Sequence, residues 1–391
     1  MKQLFIFLSL YLPLSLWADL SLKHAKIQEV SNINRGFSLV NHQDKTYTFT
    51  YKAIHKAVKD PNFNAIRYFQ QLQLNDNKTL SMKISNKKGA SIEKELHFFM
   101  GTQDIQAKVV NDNFIFLVAR TAKGDLKIAL LDQAYKVRFT QTIQNLTIKA
   151  IYNIFSHLDG SYSMALKISN HKNRLTYFNR GTGAENIAIL KFSPLLHLMK
   201  THFIGDSNMS HILEVLKDDN DNYYIFNQED TKSITLYKHD FYKDENKKTL
   251  FELKQDQKIY TISTNDYTTF YMGSDRNNWM TLNINNNKID TYELAKIKQA
   301  IIYSIHKLPN NSILISGEHQ SSHGESDIFI HNYSPYHSYL WGHTYHSDNN
   351  DKVIKHEYDH KEILLTALIS DKKNRTNLAL FKLNFQGKNT K

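Results

Sequence analysis

Cysteine is absent from the 391 residues. That absence excludes disulfide staples, thiolate metal sites, a cysteine nucleophile and a lipid-modified N-terminal cysteine. Stability therefore rests on an apolar core, which a chain of this length can bury. Beyond the N-terminus no apolar run approaches the about 18 residues that a membrane span needs, so a soluble mature chain is expected. The motifs of common catalytic machinery are missing too. There is no G-x-S-x-G elbow, no P-loop and no G-x-G-x-x-G. No catalytic residue, metal or cofactor is assigned from the sequence.

The first residues read as a leader. Lys2 supplies the positive end, Leu4 to Leu16 an apolar stretch interrupted by Pro13, and Ala18 a small residue before Asp19. Residues 1–18 are expected to be a cleavable signal peptide, which places the mature protein in the periplasm or outside the cell. The formal charge is +11, and removal of the leader, whose only charge is Lys2, leaves +10. The lysines are dispersed, without a block of like charge, in a chain rich in Lys, Asn and Ile. That pattern and export argue against a nucleic-acid partner.

What is present is a repeat. The runs KTYTFTY (45–51), NFIFLVA (113–119), GSYSMAL (160–166), NYYIFN (222–227), YTTFYMG (267–273), SILISG (312–317) and EILLTA (362–367) each follow one apolar run and precede two more. Seven β-rich copies about fifty residues apart predict an all-β, seven-bladed β-propeller of four-stranded antiparallel blades. First strands are expected at 34–40, 104–110, 148–155, 211–217, 258–263, 300–307 and 352–358, each followed by an Asn/Asp/Gly-rich hairpin turn. Third strands are expected at 65–74, 126–132, 186–192, 233–239, 278–284, 327–333 and 377–383. Fourth strands are found for six copies only. The segment 20–28, LSLKHAKIQ, supplies the seventh and closes the ring, which removes an open sheet edge. Residues 19–391 are read as one propeller domain, with blade-1 insertions near 52–64 and 75–92.

From Ser312 onward, Gly317, Gly324, Asp327, Trp341, Thr344, Tyr345 and Asp351 follow a pattern: a strand ending in Gly, then G-x-x-D before an apolar strand, then a Trp strand with a Thr-Tyr pair, then Asp. The last copy keeps Lys382 and Gly387 in LALFKLNFQG, and Gly124-Asp125 keeps a fragment. His331 stands where the pattern has Lys, and Trp341 has no counterpart in other copies. Over about 312–387 the chain resembles the tandem β-propeller repeats of exported bacterial proteins. The resemblance implies fold and export, and that family has no single activity.

Three constellations were weighed for chemistry. Eight of the 19 histidines lie between 319 and 360, yet no H-x-x-x-H pair falls on an expected helix, and His343 and His346 point to opposite faces of a strand. Solvated histidines on loops and outer strands are the expectation. Asp218-x-Asn220-x-Asn222 with Glu229 has Ca²⁺-loop spacing, but Tyr223 stands where the loop needs Gly, so a hairpin turn is expected. The third is the channel mouth, where first strands converge. There His306, Lys307, His356, Glu357, Asp359, Lys217 and Asp218 form the candidate ligand-binding set for a small anion or sugar. The function read from all this is a non-catalytic, monomeric binding or scaffolding module of the cell envelope, with an envelope protein or glycan as partner. The alternative is a propeller-type polysaccharide hydrolase or lyase with its site at the channel mouth.

Overall fold

The computed structural model describes residues 25–29, 38–42, 45–53, 78–86, 91–110, 114–132, 134–144, 147–169, 185–204, 209, 211–320, 325–346, 350–358, 362–370 and 376–389. These form seven four-stranded sheets. Blade 1 is β2 (Ser38–His42), β3 (Lys45–Ala53), β4 (Lys78–Asn86) and β5 (Ser91–Leu96). Blade 2 is β6 (Thr102–Val110), β7 (Phe114–Thr121), β8 (Leu126–Leu131) and β9 (Val137–Ile143). Blade 3 is β10 (Ile148–Ser156), β11 (Tyr162–Ser169), β12 (Glu185–Phe192) and β13 (Leu198–Ile204). Blade 4 is β14 (Ile212–Lys217), β15 (Asn222–Asn227), β16 (Ser233–Asp240) and β17 (Glu245–Glu252). Blade 5 is β18 (Ile259–Thr264), β19 (Thr269–Ser274), β20 (Asn278–Asn283) and β21 (Lys288–Glu293). Blade 6 is β22 (Ala300–Lys307), β23 (Ile313–Gln320), β24 (Ser326–Tyr333) and β25 (Tyr339–Tyr345). Blade 7 takes β26 (Lys352–Tyr358), β27 (Glu362–Ser370) and β28 (Thr376–Asn384) from the C-terminus and β1 (Ala25–Glu29) from the N-terminus.

The fold class is thus an all-β, seven-bladed β-propeller of antiparallel blades, and the N-terminal strand completes the last sheet as the sequence led us to expect. The chain divides into two compact units. The larger carries blades 1 to 4, and the smaller carries blades 6 and 7 with most of blade 5.

Sequence pattern explains burial strand by strand. Outside blade 1, second and third strands include apolar runs without alternation, as in FIFLVA of β7 and DIFIHNY of β24, where nearly every residue is buried. A strand covered on both faces needs such a run. Fourth strands are polar and open, as in β9 and β17. The cores lie between neighbouring blades. Phe116, Tyr162, Met164 and Phe192 belong to one cluster in the larger unit, and Trp279, Ile302, Ile315 and Phe329 to one in the smaller.

One turn design recurs. In 157–161, 218–222 and 308–312 between first and second strands, and in 193–197, 334–338 and 384–388 after third strands, the first residue's N–H donates to the fifth residue's carbonyl. The fourth residue has a left-handed backbone: Gly160, Asp221, Asn311, Leu196, His337 and Gly387. The side-chain oxygens of Asp218, Ser193, Ser334 and Asn384 accept from the fifth residue's N–H. That is why Asp, Ser and Asn open these turns. First strands are also tied sideways. Ser38 Oγ accepts from Ala107 N, Gln106 Nε2 donates to the Ile151 carbonyl and Asn153 Nδ2 to that of Val215. In the smaller unit His356 N donates to Ser304 Oγ.

Blade 1 departs from the reading above. Its third strand is 78–86, so the stretch 75–92 is largely sheet and not an insertion. Leu80, Met82 and Ile84 alternate and are buried; this period-2 pattern defines the strand, whereas the denser apolar content of 65–74 misled. Residues 65–74, most of the 52–64 insertion and the leader 1–18 lie outside the described residues. Gly317 answers to packing: a Cβ there would lie 2.0 Å from the Ile301 carbonyl oxygen on β22. Gly387 lies under Trp341, whose Nε1 donates to the Phe385 carbonyl.

Candidate functional site

In the smaller unit, two of the candidate residues meet. His306 near the end of β22 and His356 of β26 occupy similar positions in their first strands, and their rings bond through His306 Nδ1 and His356 Nε2 at 2.9 Å. His356 Nδ1 continues to Ser316 Oγ on β23 at 2.7 Å. Burial pushes both imidazoles toward the neutral form, His306 down to about 4 and His356 well below its usual range. The pair is therefore an uncharged relay in which one ring nitrogen donates and the other accepts. Lys307 contributes its carbonyl, which accepts from Asn265 Nδ2 and Tyr358 OH. Glu357 is 2.6 Å from Lys355 Nζ. Asp359 lies outside the described residues.

Lys217 and Asp218 belong to the larger unit. Asp218 closes the β14–β15 hairpin: its Oδ1 accepts from the N–H groups of Asn220 and Asn222, and its Oδ2 from Asn222 Nδ2 and Tyr224 OH. All of its lone pairs are taken by the turn, so it is a structural acceptor. The Ca²⁺-loop spacing resolves into this hairpin, as expected, and Glu229 accepts from Asn227 Nδ2.

Lys217 leads to a group that the sequence reading missed. Its Nζ donates to Asp221 Oδ1 at 3.0 Å, and His157 Nδ1 lies 2.7 Å from the same oxygen. Asp221 Oδ2 accepts from Tyr242 OH at 2.8 Å and from Lys191 Nζ at 3.3 Å. Burial alone would raise the Asp221 carboxyl. Lys217, Tyr242 and His157 outweigh it and hold the group at about 2. His157 is lowered by burial, against the pull of Asp221. Its Nε2 meets Ser163 Oγ at 2.8 Å, and that hydroxyl meets Tyr223 OH at 2.7 Å. Asp221, His157 and Ser163 have the connectivity of a hydrolytic triad. Ser163 and Tyr223 are completely buried, however, and the Ser163 oxygen is engaged by the tyrosine. The chain fastens blade 3 to blade 4 and presents no nucleophile. The one sequence signal for it was the turn position of Asp221, where the left-handed backbone aims the side chain inward.

A second polar group lies on the first strands of the larger unit. Lys108 Nζ donates to the Ile154 carbonyl and lies 3.5 Å from Asn153 Oδ1. Next along is Glu214, whose carboxyl burial raises to about 7, partly offset by Val215 N–H, Lys108 and Asn153.

The histidines correct the solvated-loop expectation. His331 and His356 are buried in the sheets. His343 and His346 do separate, His343 toward the Gly387 carbonyl and His346 onto Asp327.

Beside this site, the larger unit has an apolar face. Leu158 in the β10–β11 turn is 95% exposed and Tyr242 in the β16–β17 turn 66%. Leu195 in the β12–β13 turn and Met199 on β13 are also exposed. In an antiparallel four-stranded sheet the first and third hairpins lie at the same end. The contacts of Asp221 and Tyr242 with His157 and Lys191 join the ends of blades 3 and 4.

No family profile matches the chain, and no curated protein matches it in sequence. Among solved structures similar to it is the WD40 β-propeller domain of Doa1, at 10% identity and a TM-score of 0.49, over 91% of this chain and 96% of that one.

Proposed function

We propose that this protein is a non-catalytic binding or scaffolding module of the cell envelope, exported by its N-terminal leader, which engages a protein partner through the turn face of blades 3 and 4. The observation that carries this reading is the placement of Leu158, Leu195 and Tyr242 on a face held from beneath by the buried Asp221 network. Aromatic and aliphatic anchors on a preorganised surface are what partner recognition uses. The test is a photocrosslinking pull-down from an envelope extract with the mature chain, Asp19 to Lys391, carrying the crosslinker at position 158. A reproducible partner that disappears in Leu158→Asp/Tyr242→Ala supports the reading. No partner, or capture unchanged in that variant, removes it.

A polysaccharide hydrolase or lyase is the second reading, and Glu214 is its observation. A carboxyl raised to about 7 is protonated in a large share of molecules at neutral pH, the poise that general-acid work needs. Glycan cleavage abolished by Glu214→Gln would favour it over the binding module.

A further inference from the structure

Blade 6 brings together three residues that single-strand spacing hides. His319 on β23 is paired directly with Asp327 on β24, and the pairing of Ile328 with Tyr345 puts His346, just past β25, beside Asp327. Residues opposite one another on adjacent antiparallel strands project from the same face. Three neighbouring strands thus set imidazole, carboxylate and imidazole in one row. One donor atom from each lies within 4.8 Å of the other two.

Two of these groups are incompletely satisfied. Asp327 is 1% exposed, and its Oδ2 meets His346 Nδ1 at 2.6 Å while its Oδ1 has no hydrogen-bond partner among the described residues. His319 Nε2 is also buried without a partner among the described residues. A buried polar atom left in that state costs about 1–3 kcal/mol. The tautomer of His319 suits a ligand. Its Nδ1 faces the Gln320 carbonyl at 3.4 Å, and a proton held there leaves a lone pair on Nε2.

We propose that His319, Asp327 and His346 hold a divalent first-row transition metal, with Zn²⁺ the best match to two imidazoles and one carboxylate. Zinc takes such donors at about 2.0–2.2 Å, so the set must draw in, and His346, 58% exposed, has the freedom to do so. The two ligands on paired strands are fixed by the sheet. The solvent side at His346 leaves a fourth position for water or for a donor atom from a bound molecule.

A second cluster in the larger unit serves as the internal control. His202, His239 and Asp244 also place one donor atom each within 4.8 Å. There, Nδ1 of His202 is on Asp244 and Nδ1 of His239 is on Asn246; both Nε2 atoms are buried without a partner among the described residues, so the contrast with blade 6 lies in the carboxylate. The His202 ring packs 4.3 Å from that of Phe241, and Asp244 is exposed, so its charge is already solvated.

The experiment is equilibrium dialysis of chelator-treated mature protein against Zn²⁺, with metal analysis, and a parallel titration with Co²⁺ read by its visible d–d absorption. Wild type is expected to bind one equivalent saturably. His346→Ala, a change at an exposed side chain, and His319→Gln should each weaken binding at least about tenfold with an unchanged circular dichroism spectrum. His202→Gln/His239→Gln should leave it intact. No saturable binding by wild type, binding that survives both blade-6 variants, or loss that follows the His202/His239 variant would each overturn the assignment.

Discussion

Two buried networks fasten neighbouring blades, one in each compact unit, and they do so with different chemistry. In blades 3 and 4 a carboxylate, Asp221, gathers two lysines, a histidine and a tyrosine. In blades 6 and 7 two neutral imidazoles and the Ser316 hydroxyl form a relay with no net charge. Both begin at or near the first-strand hairpin and both end on a second-strand serine, Ser163 or Ser316. The same mechanical task is therefore met once with ions and once without. The charged version is intolerant of losing its hub, because the lysines would remain buried and uncompensated. The neutral version loses only a hydrogen bond when one member is removed.

The largest expected effect is at that hub. Asp221→Ala should destabilise the protein by about 3–5 kcal/mol, read as a shift of the urea midpoint. A loss no greater than that of Ser316→Ala would abolish the contrast between the networks. Next is Gly317→Ala, which drives a methyl against the Ile301 carbonyl oxygen beside Ser316. Overpacking of this kind costs about 1–3 kcal/mol, and the His356 ring resonances should shift with it in an NMR spectrum. Ser316→Ala itself leaves His356 Nδ1 without its partner and should cost roughly 1–2 kcal/mol by the same urea assay.

The finest test is pH. His306 titrates near 6.5 when unfolded and at about 4 when folded, so the unfolded chain takes up the proton first. Its contribution to stability is present above about 6.5 and is lost as pH falls toward 4. Asp221 runs from 3.8 unfolded to about 2 folded, so its contribution is lost between about 4 and 2. Thermal melts across this range should show two descents. His306→Gln should flatten part of the upper one, which His331, lowered to about 3 by burial, also feeds. Asp221→Asn should flatten the lower one alone. A single descent in both variants would merge the networks into one titrating system.

The fold was legible because its signals are local. Ala300–Lys307 and Lys352–Tyr358 coincide with the strands expected there, since an apolar run followed by a turn opened by Asn or Asp needs nothing beyond its own residues. Blade 1 was misread where apolar density competed with alternation at Leu80, Met82 and Ile84. The site was legible only in part. His306 and His356 could be paired because they hold similar places in consecutive repeats. Asp221 could not be joined to His157 and Lys191, which arrive from the preceding blade, nor His319 to Asp327 and His346, whose adjacency is set by cross-strand register and not by spacing along the chain.

The pairing of β1 with β28 has a consequence in time. β1 precedes every other described strand and β28 follows all of them, so β1 waits for its sheet until the six preceding blades and β28 have been made. Joining ends so distant in sequence is entropically expensive and slow. Until it happens, β28 offers a bare edge to any strand that passes. Loss of β28 would leave β1 without its neighbour in the sheet, so that seam closes only when the strands of all seven blades are present.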